Sequence, residues 1–278
     1  MTASPLTVVV VYPDLLGTYG DGGNGLVLAK RAAWRGIPTE LVLAPSDRPL
    51  PHGDLYCLGG GEDGPQARAA EALAADGTLA RAVEGGGVVL AVCAGYQIVG
   101  PSFPAADGRI LPGLGLLDVE TTKGRGRRAV GELLAAPVRP EEGGRPLPLL
   151  TGFENHAGVT TLGAEVRPLA AVRAGTGNGD GSGTEGARAG RVVGTYLHGP
   201  VLARNPVLAD LLLSWAVGPG TVLGPLDDSR EEALRRERIG SVHQGRPWRR
   251  WVARGGGDGG RRAPAGGLRK PPSPPSAG

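Results

Sequence analysis

At 278 residues with a net charge of +3, the chain is long enough for one substantial α/β domain. The charge excess lies in residues 255–278, where Arg261, Arg262, Arg269 and Lys270 stand against Asp258 alone, so a pI near 9.1 describes a tail and not a nucleic-acid-binding face. Two cysteines, Cys57 and Cys93, make no disulfide framework, no basic leader opens the chain, and no apolar run approaches the ~20 residues that span a bilayer, so a cytoplasmic protein is expected.

In chain order, "LTVVVVYPDLL" is an unbroken β-branched run, the mark of a strand covered on both faces. A glycine loop, "GTYGDGGNG", follows, and "LVLAKRAAWRG" has the apolar spacing of a helix closed by Gly36. "PTELVLA" and "GDLYCLGGGEDG" are further strands, the second ending in glycines. The alanine-rich stretch 65–86 is helical, in two pieces, before the strand "GVVLAVC". Alternation of this kind predicts a doubly wound parallel sheet.

The second half changes character. "GLGLLDVET", "AVGELLAAPV", "LTGFENHAGVTTL" and "VGTYLHGPVLA" are short strands with polar loops, so some antiparallel pairing is expected there. Composition makes "RAGTGNGDGSGTEGARAG" a mobile loop. "NPVLADLLLSWAVG" is a late helix with Asn205 as N-cap and Pro206 at its first position. The division predicted is a domain over 1–225, a charged and solvated helical extension over 226–253, and a disordered Gly/Pro/Arg tail over 254–278.

Gly20, Gly22 and Gly25 spell G-x-G-x-x-G, with Glu40 beyond them. The dinucleotide fingerprint requires a tight strand-to-helix turn, however, and "YPDLLGTY" intervenes, so a glycine loop leading into a helix is the better reading. Cys57 lies within an apolar strand and reads as an inert core thiol. Cys93 instead ends a core strand, where open α/β sheets bind ligands. Gly95 after it permits a sharp turn, and a helix beginning there would favour the thiolate. That pattern is similar to a nucleophile elbow.

A nucleophilic thiol needs a base. His52 and His243 read as surface residues, whereas His198 ends the strand "RVVGTYL" and His156 sits in "GFENH"; His198 is the first choice and His156 the second. The histidine and cysteine spacing gives no metal site. Taken alone, Arg128 belongs to a solvated run with Arg125 and Arg127.

"LGGGEDGPQ", "CAGYQ", "GFENH" and "GTYLHGP", with "YPDLLGTYGDGGN" and "WRGI", together resemble the class I glutamine amidotransferases of the cobyric-acid-synthase type. More narrowly, they resemble the GatD-type glutaminase subunits of lipid II isoglutaminyl synthases. The resemblance covers about residues 6–225. It implies the class I amidotransferase sheet, with Cys93 as nucleophile on the glutamine amide and His198 as its base. It also implies that Gln97 and Arg128 contact the substrate, and that backbone N–H groups near Gly60 and of Ala94 hold the oxyanion. Ammonia would pass to a Mur-ligase-like partner, MurT, in a heterodimer that amidates the D-glutamate of lipid II during peptidoglycan synthesis. No Walker-type sequence is present, so this chain should hold no cofactor, with ATP and magnesium on the partner. The rivals are an amidotransferase for a corrin carboxylate and a thiol-based sensor on the same sheet.

One element of the pattern is missing. Most class I amidotransferases carry an acid two positions after the histidine, and here that position is Pro200. Glu154 and Asp210 are in-chain substitutes; an aspartate of the partner is the preferred expectation.

Overall fold

In the computed structural model, residues 4–138, 147–218 and 221–243 are described. The first half alternates as expected: β1 (Leu6–Val11), α1 (Gly23–Ala33), β2 (Thr39–Ala44), β3 (Leu55–Leu58), α2 (Asp63–Asp76), α3 (Thr78–Glu84), β4 (Val88–Val92) and α4 (Ala94–Val99). The alanine-rich stretch breaks into α2 and α3 at Gly77, whose φ of 68° lies in the left-handed region.

Short strands follow: β5 (Ser102–Pro104), β6 (Ile110–Pro112), β7 (Val119–Lys123), β8 (Ala129–Pro137), β9 (Leu150–His156), β10 (Gly158–Leu162), β11 (Ala170–Ala174), β12 (Thr184–Glu185), β13 (Ala187–Ala189) and β14 (Val192–Thr195). Helices α5 (Val201–Arg204), α6 (Pro206–Val217) and α7 (Ser229–His243) complete the described chain.

The central sheet runs β13-β14-β4-β3-β1-β2 and is parallel except for β13. Its inner strands are apolar on both faces because helices cover both, and β1, β3 and β4 are buried almost throughout. From β1 the chain steps outward to β2 and then returns to the other side of β1 with β3. The strand order therefore reverses between β1 and β3, and the loops leaving their C-terminal ends meet at a topological switch point. Two four-stranded sheets, β10-β7-β5-β6 and β12-β11-β8-β9, are mainly antiparallel, as the change in sequence character predicts.

Three expectations are corrected. The glycine-rich stretch 173–190 is built into the sheets through β12 and β13, and Asn178 within it is fully buried, its side chain bonded to Gly186 N and O. Composition signals loop entropy but not the buried carboxylate of Glu154, which accepts the Thr176 and Gly177 N–H groups at 2.8 and 3.0 Å and pins the loop. Asn205 precedes α6 but makes no side-chain cap. Its carboxamide instead clamps Thr151 of β9, accepting from Thr151 N at 2.9 Å and donating to Thr151 O at 2.8 Å. Helix α7 is not simply solvated, since Arg235 is buried and donates to the Leu149 carbonyl. The expected tail from residue 254 lies outside the described residues.

Candidate active site at the switch point

Cys93 directly follows β4 and directly precedes α4. Its φ of 52° and ψ of −102° are strained for a residue with a side chain, a conformation that costs on the order of 1–3 kcal/mol. The surroundings hold it there: Cys93 N donates to Thr195 O at 2.9 Å and Gln97 N donates to Cys93 O at 3.0 Å. The strain thus falls on the cysteine rather than on Gly95. Gly95 is required for a different reason: a Cβ there would stand 2.7 Å from Leu58 Cβ, so only glycine lets α4 lie this close to β3.

His198 lies three residues past β14 and is fixed by reciprocal backbone bonds with Phe153 at 2.8 and 3.1 Å. The imidazole is fully buried. Its Nδ1 meets Asp21 Oδ2 at 2.7 Å, so Nδ1 carries the proton and Nε2 is left for another partner. Nε2 has no hydrogen-bond partner among the described residues, and Cys93 is near enough to act on the imidazole electrostatically. Burial alone would lower the pKa of this histidine, but Asp21 and then Cys93 outweigh it and push it up to about 10. A cysteine on a strained strand-to-helix turn beside such a histidine is an arrangement suited to attack on a carbonyl carbon.

Cys93 opens onto a cavity of about 110 Å³ whose lining includes Gly61, Gln66, Ala94, Gln97, Arg128 and Asn155. The Gln97 carboxamide is fixed by Gln66 Nε2 at 2.9 Å and by Tyr196 OH at 3.3 Å. Arg128 lies exposed at the rim, its Nη2 donating to Asn155 O at 3.0 Å and its Nε to the Asn155 carboxamide oxygen. Gln97, Arg128 and Ala94 thus share one cavity with Cys93.

Gly60 does not. Its N–H donates to Asp21 Oδ2 at 3.0 Å, so it is committed to the carboxylate instead of an oxyanion, and Gly61 is the residue of that loop that lines the cavity. His156, the second choice of base, is stacked on Tyr196 with ring centroids 3.8 Å apart and donates from Nδ1 to Gly158 O. Glu154 is occupied by the 176–177 amides and lies 3.6 Å from His156. Asp210 pairs with Arg31 and Arg35 at 2.7 Å each, through an Arg31 guanidinium that also binds Asp228. Neither acid orients His198. Cys57 is buried in β3, and burial pushes its thiol up to about 12, in keeping with an inert core residue.

Asp21 was missed by sequence reasoning. The available signal was an acid in the glycine loop that follows the first central strand, a loop read only for its glycines.

The sheet, its switch point and the strained cysteine beside a buried histidine define the class. The model of the CobB/CobQ-like glutamine amidotransferase domain matches residues 7–206, and the chain belongs to that family. Within it, the chain is similar to the glutamine-hydrolyzing subunit GatD of lipid II isoglutaminyl synthase from Streptococcus pneumoniae (strain ATCC BAA-255 / R6), at 34% identity over 215 residues covering 76% of this chain and 80% of that one. The GatD subunit of Staphylococcus aureus (strain N315) is 35% identical over 214 residues, covering 76% and 84%. In fold, the chain matches a chain of the PurLQS structure from Thermotoga maritima, with a TM-score of 0.54, 19% identity, and coverage of 77% of this chain and 95% of that one.

Proposed function

We propose that this chain is the glutamine-hydrolysing subunit of a lipid II isoglutaminyl synthase and supplies ammonia to a MurT-like, ATP-using Mur ligase partner in the cytoplasm. The observation that carries the reading is the Cys93–His198 pair beyond the C-terminal ends of the neighbouring strands β4 and β14, in a chain that is similar to GatD subunits over three quarters of its length.

In this reading the Cys93 thiolate adds to the side-chain amide carbon of glutamine. The developing oxyanion is held by the N–H groups of Gly61 and Ala94, residues whose β-positions are 3.8 Å apart at the cavity wall. The C–N bond then breaks as the His198 imidazolium gives its proton to the leaving nitrogen, which departs as ammonia. A water molecule, deprotonated by neutral His198, attacks the γ-glutamyl thioester; glutamate leaves and the thiol is restored. Arg128 receives the α-carboxylate of glutamine, a role to which the planar fork of a guanidinium is suited. ATP and magnesium act on the partner, where the ammonia meets the activated D-glutamate carboxylate of lipid II.

The test is co-expression with a Mur-ligase-like partner and assay of lipid II amidation with glutamine and ATP. Amidation that requires both chains and Cys93 is the expected result. Amidation by the partner with glutamine in the absence of this chain would contradict it.

A further inference from the structure

The acid that would orient His198 is absent two positions after it, where the chain has Pro200. We infer that Asp21, carried by the loop after β1, is the positioning residue for His198, so that the Cys93–His198–Asp21 unit is complete within this one chain. The inference rests on the proposed roles of Cys93 and His198.

Four features of the structure converge on it. Asp21 Oδ2 lies 2.7 Å from His198 Nδ1, and Nε2, the other ring nitrogen, has no hydrogen-bond partner among the described residues. The same oxygen accepts the Gly60 N–H at 3.0 Å, which fixes the carboxylate from the loop after β3. The place is shaped for the pair: a Cβ on Gly60 would stand 2.8 Å from His198 Cε1 and 3.2 Å from Asp21 Oδ2. Asp21 is 1% exposed, its Oδ1 has no partner among the described residues, and its Oδ2 pairs with His198, so the side chain is buried for that pairing.

The loop is held in place by the segment that lacks the expected acid. Asn24 accepts Leu202 N at 3.0 Å, and Gly23 packs so closely on Pro200 that a Cβ would stand 2.6 Å from Pro200 Cγ. Thr18 pairs with Gly60, and Tyr19 sets its ring against the imidazole with centroids 5.0 Å apart. Pro200 therefore supplies no carboxylate, but it seats the loop that does. Among the described residues, the titratable groups against His198 are Asp21, Cys93 and Tyr19, and of these Asp21 is the carboxylate. With Nδ1 engaged by Asp21, this inference dispenses with the aspartate expected from the partner.

Alkylation of Cys93 by iodoacetamide, followed against pH in a Cys57→Ala background, reads the thiolate–imidazolium pair without requiring glutamine turnover. Asp21→Asn removes the charge that favours imidazolium. Alkylation at pH 7 should slow by about tenfold or more, since one pKa unit is a tenfold change in population, and should recover only at alkaline pH where free thiolate forms. The kcat for glutamine hydrolysis by the isolated chain should fall by about 10²-fold or more. Unchanged alkylation together with unchanged kcat would overturn the assignment. Should Asp21→Asn fail to fold, NMR of the histidine-labelled, unsubstituted chain decides. His198 titrating well above 6.5 with its proton on Nδ1 supports the pairing, and titration at or below 6.5 overturns it. If the unsubstituted chain shows the Asp21-dependent alkylation profile but releases no glutamate, the proposed function fails while the Asp21 assignment stands.

Discussion

Arg128 lies along Asn155, donating to both its carbonyl and its carboxamide oxygen, while the Asn155 amide donates to the Tyr19 hydroxyl. The guanidinium at the cavity rim is thus held by the residue whose carbonyl also stands 4.0 Å from Cys93 Sγ. A cation positioned in this way can meet the α-carboxylate of a substrate whose side-chain amide reaches the thiol. Arg128→Lys keeps the charge but loses the fork. It should raise the KM for glutamine by about tenfold or more, the scale of one charge-assisted hydrogen bond, with kcat far less affected. Steady-state kinetics checks the split, and iodoacetamide reactivity of Cys93 should stay unchanged.

The two thiols should separate cleanly. Cys93→Ser is expected to abolish glutaminase activity with the fold intact. Cys57→Ala should keep the rate and lose about 1 kcal/mol of stability, since it trims a small apolar group from β3. A glutamine-analogue electrophile should place one adduct, at Cys93, as read by peptide mass spectrometry.

Two glycine substitutions should fail in different ways. In Gly60→Ala the new methyl meets His198 and Asp21, so kcat should drop by about 10²-fold or more with little change in melting temperature. In Gly194→Ala the methyl would stand 2.0 Å from Tyr96 Cδ2 in the core, and overpacking should cost about 3 kcal/mol or more. Urea unfolding together with kinetics on both variants separates the two outcomes.

Stability should carry the signature of His198. Its pKa is raised in the folded chain, so its pairing contributes fully below about 6.5 and is lost as pH rises toward about 10. Relative to Asp21→Asn, the unsubstituted chain should therefore lose on the order of 2 kcal/mol of stability across that window. Urea denaturation at several pH values measures the difference.

Much of this was legible in the sequence because local chemistry decides it. The continuous β-branched runs announce the buried parallel strands, and a cysteine ending one of them marks the site. The Asp21–His198 contact was not legible, since its partners are 177 positions apart, on the loops after β1 and β14, which only the order of strands in the sheet brings to one end. Nor was the order in residues 173–190, because the carboxylate that fixes it comes from Glu154 in another strand. The role of Gly95 was misread for the same reason: the sequence shows a turn, and only the packing shows the Leu58 backbone beneath it.

The proposed function requires glutamine hydrolysis at Cys93, paired with His198. The most direct measurement is glutamate and ammonia release from L-glutamine by the purified chain, compared with Cys93→Ser, with and without the Mur-ligase-like partner. The unsubstituted chain should release the two in equal amounts, and Cys93→Ser should release none above background. No release under either condition, or release that survives Cys93→Ser, would contradict it.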